Sequence, residues 1–378
     1  MESNSLSFLI GTRIQSARKS AGLTQQALSE KLKFKDRQIL SNIESGTRKT
    51  SADELVKLMR LLGKPLDYFT DPYLLTDPDA FHWRAGPHDD PSIFESKASK
   101  LAIAHLRFSD LLGESINPVV SHLSLTPHPS FEEIEEKTKE LITTHSLGLY
   151  PAEKITKLVE DLNFQILYVD PPAGLASASC HLSRMNFIFL NRRVPQASRN
   201  IELAHQLFHL LTWHLLKPDS TDRFTSSTDP NDISYLPYDY GHTGKRPRIE
   251  RLADHFAATL LMPEKSVQTL WKARTVSTKL KSFIIDSSAL FQVPAPALKS
   301  RLKNLDLIFP SEAALLPDET LKAPQKKEDP PKLFSPKFVT LLHSVLEKGH
   351  ISRSKAAELL DITGDGLKSL LRSYGFKP

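Results

Sequence analysis

Cysteine is almost missing from this sequence: among 378 residues only Cys180 carries a thiol, so no disulfide can form within the chain. A reducing, cytoplasmic setting is the expectation, because structural disulfides belong mainly to secreted proteins. Long apolar runs are missing too, none approaching the roughly 20 residues a membrane helix needs. The start, Met1-Glu2-Ser3-Asn4, lacks the basic and apolar regions of a signal peptide, so no membrane association is expected. No repeat of fixed period marks a solenoid or a propeller. With 40% hydrophobic and 25% charged residues, the chain cannot be wholly disordered, collagen-like or a coiled coil. Its length allows two or three domains.

Beyond residue 70 there is no charge excess of either sign. Residues 1–70 hold twelve Lys/Arg against seven Asp/Glu, whereas the remaining 37 basic and 37 acidic residues cancel. The formal charge of +5 therefore sits at the N-terminus. A basic head on a neutral body points to one module that meets a polyanion and a remainder that does something else.

Prolines cluster at two places. Asp71-Pro72, Asp77-Pro78 and the stretch from Gly86 to Pro91 punctuate the chain after residue 70, and Pro317, Pro324, Pro330, Pro331 and Pro336 interleave with charges around residues 311–335. Both read as connectors. Between them, apolar periodicity predicts helices near 95–114, 130–145, 151–163, 197–216, 248–262 and 276–288. Short β-branched and aromatic runs at 164–169 and 186–191 predict strands, with 176–182 as a third. The Ser/Thr/Asp-rich segment 218–231 is expected as a mobile loop.

In the basic head, Ile10, Ile14, Ala17 and Ala21 form one stripe at helical spacing, and Leu55, Leu58, Met59 and Leu62 another. Two short helices fit between them, the first capped by Thr24 and the second by Asp36 and stopped by Ser45-Gly46. With Leu40 and Ile43 inward, the second helix presents Arg37, Gln38, Ser41 and Asn42 outward, side chains of the types that read base edges in a major groove. A four-helix interaction module is the plainer alternative. Gly22-Leu23-Thr24-Gln25, Ile43-Glu44-Ser45-Gly46 and Leu66-Asp67-Tyr68-Phe69 stand as they do in the Cro/repressor-type, or Xre, helix-turn-helix family, which residues 7–70 resemble. The resemblance implies that Gln25 helps hold a phosphate, that residues 37–42 face bases and that Arg48 and Lys49 grip the backbone. Lys33 departs from it, standing where many members have a turn glycine.

The helix around Ile201 carries His205 and His209, one turn apart on one face, a spacing that suits two ligands of one metal ion. An isolated pair of this kind is more commonly packed or hydrogen-bonded histidine. Downstream, Glu250, Ala253 and Ala257 share a helix face, and the two alanines permit close approach that brings Glu250 within reach as a third ligand, leaving one position for water. Together the two segments resemble the ImmA/IrrE metallopeptidase family, whose pattern is HExxH followed by ExxAxxFAxxLLMP. The resemblance covers residues 150–270 and implies a Zn2+ ion held by His205, His209 and Glu250. It also implies that the glutamate after the first histidine is the general base.

That position holds Gln206. An amide orients water but has no useful basicity, so metal binding is expected to survive and hydrolysis to be lost. Glu202, almost one turn before His205, is a poor substitute. Such a glutamine is what a substitution made to trap an inactive protease leaves, which is the favoured origin, and also what a naturally silent relative carries. Tyr235, Tyr238, Tyr240 and His242 are loop candidates for stabilising a transition state, His214 and Cys180 read as packing, and Ser352 and Asp365 are plausible caps in a C-terminal tail. In that tail Ala357, Ile362, Lys368 and Arg372 suit a second helix-turn-helix, with packing or dimerisation preferred.

The expected fold is α+β and predominantly helical: a helix-turn-helix domain at 1–70, a helical connector at 71–149, a small-sheet metallopeptidase-like domain at 150–310, a linker at 311–335 and three helices at 336–378. The combined resemblance implies a cytoplasmic repressor, dimeric on double-stranded operator DNA. Its zinc domain would cleave the chain itself, a partner regulator or a toxin, or would serve without catalysis as a sensor or scaffold.

Overall fold

The computed structural model describes residues 2–75, 80–86, 88–114, 122–172, 174–182, 184–223, 247–275, 277–321 and 329–377. Two compact units emerge, the first comprising residues 1–78 with 99–107 and the second the rest of the chain.

The first unit is built from α1 (Glu2–Ser20), α2 (Gln25–Lys31), α3 (Arg37–Glu44), α4 (Ala52–Leu62) and α5 (Leu66–Thr70). Each short helix starts where a side chain satisfies an orphan amide: Thr24 accepts from Ala27 N, Asp36 from Gln38 N, and Ser51 forms a capping box with Glu54. Lys33 takes φ 59° in the α2–α3 turn, the left-handed conformation that accounts for the glycine usual there. Gly11 is required for a different reason, since a Cβ would meet the Ile43 carbonyl oxygen at 2.2 Å. The α1 backbone therefore lies directly on α3. Ile14, Leu28, Leu40, Ile43, Leu58 and Phe69 fill the core, and Arg13 donates to the carbonyls of Tyr68 and Leu74, tying α1 to the end of α5.

The second unit is organised on a five-stranded mixed sheet. Its strands are β1 (Phe81–Ala85), β2 (Gln165–Val169), β3 (Leu175–His181), β4 (Asn186–Asn191) and β5 (Thr221–Arg223), in the order β2-β4-β3-β1-β5. Helix α6 (Ser92–Leu112) is divided between the units, its residues 99–107 belonging to the first; the helices of the second unit then include α7 (Phe131–Thr144), α8 (Ile155–Asp161), α9 (Gln196–Thr212) and α10 (Arg248–Leu261). There follow α11 (Glu264–Ala273), α12 (Leu280–Phe291), α13 (Ala295–Asn304) and α14 (Pro310–Ala314), then α15 (Pro336–Glu347), α16 (Arg353–Leu360) and α17 (Gly364–Ser373). Helix α9 packs on β3 and β4 and is covered by α10, which is in turn covered by α7. It is consequently buried all round, from Ile201 to Thr212 without a break, as the near-continuous apolar sequence of a doubly covered helix requires.

Several expectations change here. The segment 71–149, read as a helical connector, supplies a central strand: β1 pairs antiparallel with β3 and parallel with β5. Its alternation, with Phe81, Trp83 and Ala85 on one face and His82 and Arg84 on the other, was masked by the flanking prolines and by burial of both faces. The segment 218–231, expected as a mobile loop, contains Thr221–Arg223, the edge strand β5; its residues 224–231, like Tyr235, Tyr238, Tyr240 and His242, lie outside the described residues. In the 311–335 segment, Ala313, Leu321 and Phe334 are buried, and Pro310 and Pro336 each start a helix rather than only interrupting one, because the missing amide is an orphan at that position anyway. Thr363, not Asp365, caps α17, and Asp365 instead pairs with Lys368. Ser352 caps α16 as expected.

Candidate metal centre and nucleic-acid interface

The register of the sheet determines what faces α9. Arg84 lies opposite Ser177 and His82 opposite Ser179, so the polar side of β1 and the serines of β3 look toward the same helix. Onto this surface α9 projects Glu202, His205, Gln206 and His209, and α10 adds Glu250 and Asp254; all six are buried.

Four of these groups converge. The ligand atoms of His82, His205, His209 and Glu250 lie within 4.8 Å of one another. Glu250 Oε2 stands 3.2 Å from His205 Nε2, 3.3 Å from His209 Nε2 and 3.7 Å from His82 Nε2, and the two α9 imidazoles are 3.0 Å apart at Nε2. Zinc–nitrogen bonds of about 2.0–2.1 Å place tetrahedral donors about 3.3 Å apart, so these separations are those of a ligand set. Outer contacts orient two of the rings: His205 Nδ1 faces Asp254 Oδ1 at 2.9 Å and His82 Nδ1 faces the Asp219 carbonyl at 2.7 Å, which turns each Nε2 lone pair inward.

Electrostatics prepares the same state. Burial, with help from His209, pushes the His82 pKa down to about 3 against the pull of Glu250. Burial likewise lowers His209. Although burial alone would raise Glu250, the surrounding imidazoles of His209, His82 and His205 hold it well below the usual carboxylate range. Two neutral imidazoles and an ionised carboxylate are the protonation states in which these groups ligate metals. His205 departs from this: burial and Arg84 oppose its charge, but Asp254 and Glu250 prevail and its pKa is raised. The residues fit a metal ion.

Gln206, one residue after the first ligand, points elsewhere. Its Nε2 donates to Ser177 Oγ at 2.9 Å, Ser177 Oγ donates to Glu202 Oε2 at 2.5 Å, and Glu202 accepts from Arg84 Nη1 at 2.9 Å. Arg84 also approaches Asp222 of β5 at 3.4 Å. This chain of polar groups, closed off from water, links α9 to three strands. Glu202 is thus engaged in an ion pair as well as badly placed in sequence. His214 is exposed and makes edge-on ring contacts with His122 and His181, whereas Cys180 is buried.

In the first unit the structure leaves Arg37, Gln38 and Lys49 exposed, with Ser41 and Asn42 half-buried on the same helix face. Gln38 Nε2 donates to Asn42 Oδ1. Gln25 donates to Glu44, which is buried and gripped by Arg18 at 2.6 Å, so the amide is held at the N-terminus of α2 by an ion pair beneath it. Arg48 pairs with Glu54 at 2.8 Å.

The fold and both sites define a DNA-binding helix-turn-helix module joined to a metallopeptidase-type domain. Residues 14–69 match the helix-turn-helix family, and residues 159–303 match the IrrE N-terminal-like domain, in agreement with the Xre and IrrE/ImmA resemblances of the sequence. Among solved structures, the chain is similar to the apo form of the competence regulator ComR from Streptococcus vestibularis, at 12% identity and a TM-score of 0.17, over 98% of this chain and 99% of that one. It is similar also to the apo form of ComR from S. thermophilus, at 12% identity and a TM-score of 0.17, over 98% and 97% of the two chains. No curated protein matches. Among the described residues no helix is long and apolar enough to cross a membrane.

His82 is the group that sequence reasoning missed. It lies outside the segment matching the IrrE N-terminal-like domain and more than a hundred residues before His205. The alternation of Phe81-His82-Trp83-Arg84 was the available signal.

Proposed function

We propose that the chain is a cytoplasmic transcriptional repressor that binds double-stranded operator DNA as a homodimer, and that its central domain holds zinc without hydrolysing peptides, serving as a sensor or as a grip for a partner protein. The carrying observation is Gln206. Its amide stands where the relatives' general base would be, and its donor is committed to Ser177 and, through it, to the Glu202–Arg84 pair. Zinc, when bound, supplies Lewis acidity; His205, His209 and Glu250 would hold it. Among the described residues, the carboxylates beside these ligands are engaged: Glu202 and Asp222 pair with Arg84, and Asp254 orients His205.

For DNA, Arg37, Gln38, Ser41 and Asn42 reach bases, and Gln25, Arg48 and Lys49 hold phosphates. One such module buries only about 600–1,000 Å² on DNA, which favours paired half-sites. A second reading, cleavage of the chain itself or of a partner regulator or toxin, draws on the convergence of His205, His209 and Glu250. The test combines purified zinc-loaded protein with DNA, single-stranded DNA and cell extract, with fragments sought by mass spectrometry. An intact chain and intact extract proteins support the repressor reading; zinc-dependent fragments support the peptidase.

A further inference from the structure

We infer that His82 is a fourth protein ligand, so that the metal centre is a closed tetrahedral site of three imidazoles and one carboxylate that fastens strand β1 to helices α9 and α10. This rests on the metal-binding part of the reading above and deepens it. A peptidase-type centre needs a coordination position for water and substrate, whereas a set of four protein ligands is the mark of a structural site.

Three observations carry the inference. His82 is fully buried, and its Nε2 makes no hydrogen bond among the described residues although it is aimed at Glu250 Oε2, 3.7 Å away. An imidazole nitrogen is seldom buried without a partner. Next, the Asp219 carbonyl takes the Nδ1 proton at 2.7 Å, so the inward nitrogen carries the lone pair. Finally, the ring cannot easily swing away. His82 is paired with Ser179 across the sheet, and two residues on, Arg84 is anchored to Glu202 at 2.9 Å. Its ring also packs against that of His209, with centroids 4.1 Å apart. The His82–Glu250 separation of 3.7 Å is about 0.4 Å longer than the edge of a zinc tetrahedron, and all four donors lie within 4.8 Å of one another.

The consequence is a reversal of role. In an open site one ligand position would be left to water. Here His82 on β1 would take that place, so the ion would act as a rivet between a strand near residue 82 and two helices beyond residue 200. Metal loss would then loosen β1 and the edge strand β5 paired with it.

The test uses the full chain with cobalt(II) in place of zinc, because tetrahedral cobalt absorbs visible light far more strongly than five- or six-coordinate cobalt. The native chain is expected to give the intense tetrahedral spectrum and to be indifferent to azide, which needs an open position. His82→Ala should weaken the absorption, make it azide-responsive and lower zinc affinity by more than the roughly 10–100-fold that loss of an outer contact costs. His82→Gly with added imidazole should regain the native spectrum, which separates lost ligation from misfolding, and circular dichroism checks the fold of both variants. An azide-sensitive native spectrum, or an unchanged spectrum and affinity in His82→Ala, overturns the fourth ligand while leaving a three-ligand metal site standing. Failure of the native chain to bind cobalt or zinc at all overturns both.

Discussion

Gln206 donates its amide to Ser177 at 2.9 Å, and Ser177 has only one proton, which it gives to Glu202 at 2.5 Å. A glutamate at 206 would face a hydroxyl oxygen with no proton left to offer, in a buried space that already holds the Glu202 carboxylate. The glutamine complements this network, in line with the silent domain proposed above.

Gln206→Glu is accordingly expected to yield no peptidase activity and to destabilise the domain by about 3–5 kcal/mol if the carboxylate stays ionised and unpaired. Ser177→Ala should cost about 1–3 kcal/mol by leaving the Gln206 amide without its acceptor and Glu202 with Arg84 alone. Urea denaturation of the zinc-loaded variants measures both. A Gln206→Glu protein as stable as the parent, with a chelator-sensitive cleavage product, would reverse the assignment.

Metal retention should follow the ligand set. His209→Ala and Glu250→Ala are expected to release zinc, and Asp254→Asn, which weakens the acceptor that orients His205, should lower affinity roughly 10–100-fold without abolishing it. Elemental analysis after dialysis, followed by chelator competition, distinguishes these outcomes.

On DNA, Arg37→Ala should lose about 1–3 kcal/mol of discrimination between the operator and single-base variants. Lys49→Ala should instead weaken binding to all sequences and reduce the slope of log K against log salt by about 1. Binding titrations at several salt concentrations read both quantities. If neither variant changes them, α3 is not the recognition helix.

The acid side of the stability curve should carry the mark of Glu135. Its carboxylate lies near His255 on α10, Arg301 on α13 and Lys139; His255 first, then Arg301 and Lys139, outweigh its partial burial and pull its pKa down to about 2. Because the folded value is below the unfolded one, the contribution is present above about pH 4.5 and is lost as pH falls through about 2. The Tm of Glu135→Gln should thus lie below that of the parent at pH 6, with the gap closing as pH falls below about 4.5.

How much could be read without coordinates depended on sequence distance. The Thr24, Asp36 and Ser352 caps, the Leu40 and Ile43 inward face, and the His205–His209 pair all rest on contacts within one or two turns, so spacing alone placed them. The alanines at 253 and 257 went further, because small residues on one face announce close helix packing, and α10 does lie against α9. Residue identity also exposed the missing base at Gln206.

Only tertiary structure decided what surrounds that glutamine and what completes the metal centre. Strand β1 lay hidden in a proline-punctuated stretch because burial on both faces erases the polar alternation that marks a half-exposed strand. Sheet register then brought His82 beside His209, and Arg84 beside Glu202 across 118 positions of sequence. Those pairings are set by backbone hydrogen bonding between strands and by the depth at which α9 settles on them, neither of which leaves a periodic trace in the chain. The sequence by itself therefore determined which side chains were present and that glutamine stands at position 206, and the packing of β1 determined that His82 joins His205, His209 and Glu250.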